Sequence, residues 1–323
     1  MRILITAPYN NNGIRELEDF FGEVEYRPWK PHGRTYHEEE LIGLLKETRA
    51  DALITEHDEV TEKLIENFPE LEFIGVCRGT PSNVSLATAK AKDIPVFNTP
   101  ARNAQAVAEM FIANVITFMR NTLEGIKWLD SEKWGDGAHA SYLQFKGNEL
   151  AGKTVGMVGF GAVGQRIAAM IKHFPCNIQY FDPYVNHEFP DFQKESLEDI
   201  FSSSDIVTIH LPVNEQTKGM IDKRLISLMK PNGIFVNMSR AVVVKRQDLL
   251  EALQDRKILG AVLDVFDHEP PDKVDYELIH LPHVLATPHI AGATHEVEDH
   301  HVSILNKALF GHFAEKKGFI KHQ

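Results

Sequence analysis

Cysteine is scarce: Cys77 and Cys176 are the only two among 323 residues. Two thiols cannot build a disulfide framework, and leaving them free suits a reducing, cytoplasmic setting. Basic charge is also in deficit, with 34 Lys and Arg against 46 Asp and Glu and a formal net charge of −12. Nucleic-acid binding rests on phosphate neutralisation, and no basic run offsets the average, so no nucleic-acid partner is expected. No apolar stretch approaches the roughly 20 residues of a membrane-spanning helix, so no membrane partner is expected either. The opening run from Met1 to Ala7 is too short for a signal peptide and reads as a first strand. What remains is ordinary soluble composition, 43% hydrophobic and 25% charged, in a length that suits two domains.

The strongest pattern runs from Thr154 to Pro183. Thr154–Val158 is a short β-former run, and Gly159, Gly161 and Gly164 follow in G-x-G-x-x-G spacing. Val163 to His173 continues as a helix, and Asn177–Phe181 is a second strand that ends on Asp182. Such a unit binds a dinucleotide. The first glycine allows the tight turn, the second admits a pyrophosphate to bare backbone, and the third lets helix and strand pack closely. The helix start at Ala162 and Val163 adds unpaired N–H groups and the positive end of a dipole. Asp182 stands where a carboxylate accepts from both ribose hydroxyls. It would repel a 2′-phosphate, so NAD is expected as cofactor rather than NADP.

Around this motif, strand-like and helix-like segments alternate. In the first hundred residues, strands are predicted at 2–7, 24–27, 52–55, 73–76 and 95–97, with helices between them. Asn98-Thr99-Pro100-Ala101 reads as a hinge into one long helix from Asn103 to about Glu124. Residues 127–150 read as an irregular connection with at most one short helix. A second alternating unit runs to about Pro288, and a last helix, about Glu296 to Glu315, is expected to return to the first unit. The predicted fold class is therefore α/β, with two Rossmann-like, doubly wound parallel-sheet domains and an active-site cleft between them. One domain comprises residues 1–100 plus 291–323 and takes the substrate; residues 101–290 form the NAD-binding domain.

Three segments fall at predicted strand ends of the second unit, where open α/β sheets place ligands. They are Asn237-Met238-Ser239-Arg240, Leu263 to Pro270, and Thr287-Pro288-His289-Ile290. Reducing a 2-oxo acid needs a cation for the carboxylate, a proton donor for the carbonyl oxygen, and a partner for that donor. Arg240 can hold the carboxylate in a planar fork. His289 suits acid–base work, and Glu269, if hydrogen-bonded to it, favours its charged form.

With these segments, the stretches Asn98-Thr-Pro-Ala-Arg-Asn103, Val107-Ala-Glu109, Leu150 to Gly156, His210-Leu-Pro212 and Met229-Lys-Pro231 complete a recognisable order. The chain resembles the D-isomer-specific 2-hydroxyacid dehydrogenase family. The resemblance implies NAD(H) in an interdomain cleft, a small 2-oxo or 2-hydroxy acid as substrate, and a homodimer formed mainly by nucleotide domains. It makes Arg240, Glu269 and His289 the catalytic residues and sets Asp264 against the nicotinamide amide. Thr217, Met238, Ser239 and Thr80 would line the cofactor, while Gly79 would join Arg240 around the substrate; Arg78, in a loop where many relatives are richer in glycine, departs from the family pattern and is expected to add a second cation there. The family also has a corepressor branch, so an NAD(H)-sensing interaction protein with little turnover is the alternative.

The chain departs from its relatives in places. Glu56 and Asp58 stand where phosphoglycerate-type members offer Arg and Ser, so repulsion is expected to disfavour 3-phosphoglycerate. Ala241 replaces the usual glycine after the arginine, which would matter if positive φ were needed there. Glu269 stands where formate dehydrogenases carry Gln. No metal is expected; His295, Glu296, Asp299 and His300 have ligand-like spacing without an evident further partner. Cys77 reads as a packed thiol.

Overall fold

The computed structural model describes residues 1–132, 134, 135 and 137–316. The chain divides into two units, Met1–Asn103 with Thr294–Gln323, and Ala104–Ala293. The end of the predicted substrate domain, 317–323, lies outside the described residues.

In the first unit, β1 (Ile3–Ile5), β2 (Val24–Tyr26), β3 (Ala52–Thr55), β4 (Phe73–Val76) and β5 (Val96–Asn98) form one sheet. Its order is β2-β1-β3-β4-β5 and every pairing is parallel. Parallel neighbours require crossovers, and helices α1 (Asn11–Phe21), α2 (Glu38–Thr48), α3 (Glu62–Asn67) and α4 (Leu86–Ala91) supply them. Strands β1, β3 and β4 are buried throughout, as a sheet covered on both faces demands. The C-terminal helix, Glu296–Lys316, gives Val302, Leu305, Leu309 and Phe313 to the same core as Ile3, Ile5 and Phe73. The expected return of the last helix to the first unit is thus observed.

The second unit begins with α5 (Ala104–Met119), α6 (Thr122–Asp130) and α7 (Ala138–Gln144). The single helix expected to reach Glu124 is instead broken. Asn121 takes φ 52°, a left-handed conformation that ends the run before α6 begins. The supposedly irregular stretch that follows holds the rest of α6 and all of α7. Its side chains give a weak pattern because Leu129, Tyr142 and Leu143 are exposed rather than packed inward.

Seven strands follow: β6 (Thr154–Val158), β7 (Asn177–Phe181), β8 (Gln193–Lys194), β9 (Ile206–Ile209), β10 (Ile234–Asn237), β11 (Gly260–Leu263) and β12 (Val284–Ala286). Helices α8 (Ala162–Ile171), α9 (Leu197–Ser203), α10 (Lys223–Ile226), α11 (Arg246–Gln254) and α12 (Lys273–Ile279) lie between them. The sheet order is β12-β11-β10-β9-β6-β7-β8, again parallel. This is the doubly wound arrangement, and its order reverses between β6 and β9. Two separate cores cover the sheet, one built around Val158, Phe201 and Phe235, the other around Phe111, Met157 and Val236. Strand β8 was not legible in the sequence, being two exposed residues at the sheet edge. Among the described residues, no helix is long and apolar enough to cross a membrane.

Candidate active site

At the reversal point, Gly159 follows β6 with φ 93°, and a Cβ there would lie 2.6 Å from the carbonyl oxygen of His210. Only glycine meets both conditions without strain. A Cβ on Gly164 would come within 2.7 Å of Gly159 O, so the start of α8 packs directly on the turn. A Cβ on Gly161 would meet nothing within 4 Å beyond its chain neighbours and its own helix. Gly161 is the N-cap of α8 and offers no side-chain cap. The helix start therefore faces open space with unpaired N–H groups, a cradle that fits a pyrophosphate. Ala162 and Val163 form that first turn. The Asp182 carboxylate is bound to the same turn: Oδ2 accepts from Phe160 N at 2.8 Å and Oδ1 from Tyr184 N at 2.8 Å. On the opposite side, desolvation pushes the His210 imidazole down to about 3, leaving it neutral near pH 7.

Three neighbouring strands deliver the remaining groups. Asn237, Leu263 and Ala286 are aligned across β10, β11 and β12, so the chain leaves the sheet at one level after each. After β10, the buried Asn237 side chain shapes the turn. Its Oδ1 accepts from Ser239 N at 3.1 Å and Ser239 Oγ at 3.0 Å, and its Nδ2 donates to Arg240 O at 3.0 Å. Arg240 is extended, φ −146° and ψ 132°, with its guanidinium exposed and Nη1 donating to Ser239 O at 2.7 Å. Ala241 opens a turn of 3-10 helix, Ala241–Val243, a right-handed conformation that alanine adopts readily. The concern over its missing glycine is therefore removed. Met238 is 6% exposed and belongs to the core, and Thr217 closes its own loop by donating to Pro212 O at 2.7 Å.

After β11, Asp264 is completely buried. Its Oδ1 accepts from Thr287 Oγ1 at 2.6 Å and Ile290 N at 2.9 Å, and its Oδ2 from Ala291 N at 2.8 Å. All three donors belong to the segment after β12 that carries His289, which has φ 53°. A histidine in the left-handed region is uncommon and persists where its surroundings enforce it. The Asp264 carboxylate supplies that enforcement on both sides of the residue. Glu269 completes the couple: its Oε2 lies 2.7 Å from His289 Nδ1, and both side chains are partly exposed. With Nδ1 engaged, Nε2 is left to exchange a proton.

The first-unit residues lie in the loop after β4. Arg78 is partly exposed and Gly79 and Thr80 are exposed; Asn98 Nδ2 donates to Gly79 O at 2.6 Å. Burial raises the Cys77 thiol well above its ordinary range, consistent with a packed side chain. The two acids expected to repel a phosphate are placed differently here. Glu56 is paired with Arg102 at 2.6 Å, and the buried Asp58 accepts from Thr6, Thr55 and Tyr36 N at 2.5, 2.8 and 2.7 Å. Glu56 is thus compensated by a cation, whereas Asp58 is held by neutral donors and keeps its charge. Of the residues with ligand-like spacing on the last helix, Asp299 accepts from Asn10 and His300 Nδ1 faces Arg102 O. Among the described residues, His268, Asp272 and Asp275 bring potential ligand atoms within 4.8 Å of one another. Both carboxylates already bind Arg246. Sequence reading passed over Asn237 as a shaping residue and had no signal at all for Arg246 or Asp275.

A family model described as the NAD binding domain of D-isomer specific 2-hydroxyacid dehydrogenases matches residues 112–291, more than half the chain. The chain belongs to that family. The family is one of oxidoreductases acting on 2-oxo or 2-hydroxy acids with an NAD-binding domain, and the turn at Gly159–Gly164 lies inside the matched region. YoaD of Bacillus subtilis (strain 168), which carries a provisional 2-hydroxyacid dehydrogenase name, is 60% identical over 309 residues, covering 96% of this chain and 90% of YoaD. A glyoxylate reductase of Thermococcus litoralis is 34% identical, covering 95% and 92% of the two chains. Among solved structures, D-2-hydroxyisocaproate dehydrogenase aligns over 98% of both chains with a TM-score of 0.82 at 25% identity.

Proposed function

We propose that this protein is an NAD-dependent D-2-hydroxyacid dehydrogenase that interconverts a small 2-oxo acid and its D-2-hydroxy acid, acting mainly as a reductase. The observation that carries the reading is the Glu269–His289 hydrogen bond of 2.7 Å, made from the two strands next in the sheet to the one that ends in the Arg240 turn. The bound nicotinamide supplies the hydride. Arg240 binds the substrate carboxylate through its planar fork. His289 gives a proton from Nε2 to the substrate's carbonyl oxygen in the reducing direction and recovers it in the other. Glu269 holds Nδ1, which fixes the imidazole's orientation and compensates its positive charge. Asp182 accepts the ribose hydroxyls and favours NAD over a cofactor with a 2′-phosphate. Met238, Ser239, Thr217, Thr80 and Asp264 are assigned to the cofactor's surroundings and Gly79 to the substrate on the family resemblance; Arg78, which departs from the family pattern, is assigned to the substrate as a second cation.

The test is steady-state NADH consumption with a panel of 2-oxo acids. His289→Ala should lower kcat by roughly a hundredfold or more, the scale of a removed general acid. Arg240→Ala should in addition raise KM sharply. Near-normal turnover in both variants would refute the assignment, and tight NADH binding without turnover on any 2-oxo acid would favour a sensing role. Replacing Asp182 with Ser should move the NADH/NADPH preference at least about tenfold toward NADPH. A cytoplasmic homodimer belongs to the same reading. Its support is the exposed apolar row of Leu123, Ile126 and Leu129 on α6 with Tyr142 and Leu143 on α7. A monomer mass in sedimentation equilibrium would remove it.

A further inference from the structure

We infer that Arg246 is a positioning residue for the Glu269–His289 couple, acting through the loop that joins Asp267 to Asp275. The inference rests on the catalytic reading of that couple. Arg246 opens α11 and grips three carboxylates of the loop. Its Nη1 lies 2.9 Å from both Asp272 Oδ1 and Asp275 Oδ1, and its Nε 3.3 Å from Asp267 Oδ2. The Asp275 side chain is 1% exposed, and its second oxygen accepts from His268 N at 3.1 Å and Asp272 N at 3.2 Å. Those two amides bracket Glu269. From there Glu269 turns Oε1 back to Phe266 N at 3.3 Å and Oε2 to His289 Nδ1 at 2.7 Å. Polar contacts thus run from the Arg246 guanidinium to the His268 amide, and the peptide link from His268 to Glu269 carries them on to the imidazole.

Charge makes the guanidinium necessary. Asp267, Asp272 and Asp275 lie around one cation, with the His268 imidazole 3.0 Å from Asp272 at the exposed edge. Removing one partner of a buried ion pair leaves the other charge uncompensated. The acids would then repel one another, and that repulsion drives the loop outward. A cavity of about 20 Å³ lies beneath it, lined by Asn237, Arg246, Leu263, Phe266, Asp267 and Asp275. That is space for roughly one water and not for a collapsing loop. An outward loop takes Glu269 away from His289. Arg246 has no place in the proposed contacts to substrate or cofactor, so its loss should act on turnover and not on binding.

The experiment is a double-mutant cycle on kcat with the best 2-oxo acid of the panel, accompanied by NADH binding followed by fluorescence. Arg246→Met should lower kcat about tenfold, while NADH Kd and the substrate KM stay within about threefold. In a Glu269→Gln background the same substitution should change kcat less than about twofold, because the group it positions is already disabled. Arg246→Lys keeps the charge without the fork and should recover part of the loss. Equal losses in both backgrounds, or wild-type kcat in Arg246→Met, overturn the inference. Should Arg246→Met fail to fold, Arg246→Lys is carried through the same cycle with the same criterion. If Glu269→Gln alone leaves kcat unchanged, the catalytic reading itself fails and this inference falls with it.

Discussion

The Asp264 carboxylate lies 2.9 Å from the amide nitrogen of Ile290, the residue that directly follows His289. Together with the contacts to Thr287 and Ala291, this makes one buried side chain the anchor of the whole histidine segment. Asp264→Ala should destabilise the protein by about 3–5 kcal/mol, since three buried donors lose their acceptor. The informative variant is Asp264→Asn, which keeps the shape and one acceptor oxygen. It should fold, and its kcat should fall more than about tenfold as His289 loses its enforced conformation. Urea titration read beside turnover checks both, and an Asn variant with full kcat would count against the anchor.

The roles of the first two glycines of the turn can be separated by substitution. Gly159→Ala forces a side chain into a left-handed position and against His210 O, so it should cost about 2 kcal/mol or more in thermal or chemical unfolding. Gly161→Ala meets no atom within 4 Å beyond its chain neighbours and its own helix, and should leave the melting temperature near wild type. NADH affinity should nevertheless drop at least about tenfold, because the methyl group takes the space a pyrophosphate needs. Unchanged NADH Kd in Gly161→Ala would place the phosphates elsewhere.

Stability should decline on mild acidification. Burial lowers His57, His210, His283 and His301, with His210 brought to about 3. A histidine lowered in the folded state is protonated first in the unfolded chain, near pH 6.5. Its stabilising contribution is therefore complete above about 6.5 and is lost as pH falls from there toward the folded value. Melting temperature should drop steadily between about pH 7 and 5, and His210→Gln should flatten that slope. A profile that is level over this range in the wild type contradicts the burial argument.

What could be read in advance follows from how local each signal is. Strands β3, β4, β6, β7, β10 and β12 are short segments rich in apolar and β-branched or aromatic residues, so their limits are largely written locally. The Gly159–Asp182 unit and the Glu269–His289 pairing were legible because a known chemistry fits their order. The break at Asn121 was not, because an asparagine's left-handed turn has no periodic signature. The compensation of Glu56 by Arg102 and of Asp275 by Arg246 was equally hidden. Each joins residues far apart in the chain, and only the folded sheet decides which charges meet.

The C-terminal helix has a consequence for how the protein is made. Val302, Leu305, Leu309 and Phe313 fill a core whose other members were synthesised hundreds of residues earlier. The opening unit must therefore wait on the ribosome without its closing piece, while the stretch from Ala104 to Ala293 is complete as soon as it emerges. Nascent chains stalled with Ala293 just clear of the exit tunnel should resist protease over the later segment and be cut within the first hundred residues. Maturation would then proceed from the middle of the chain outward, with the earliest residues the last to find shelter.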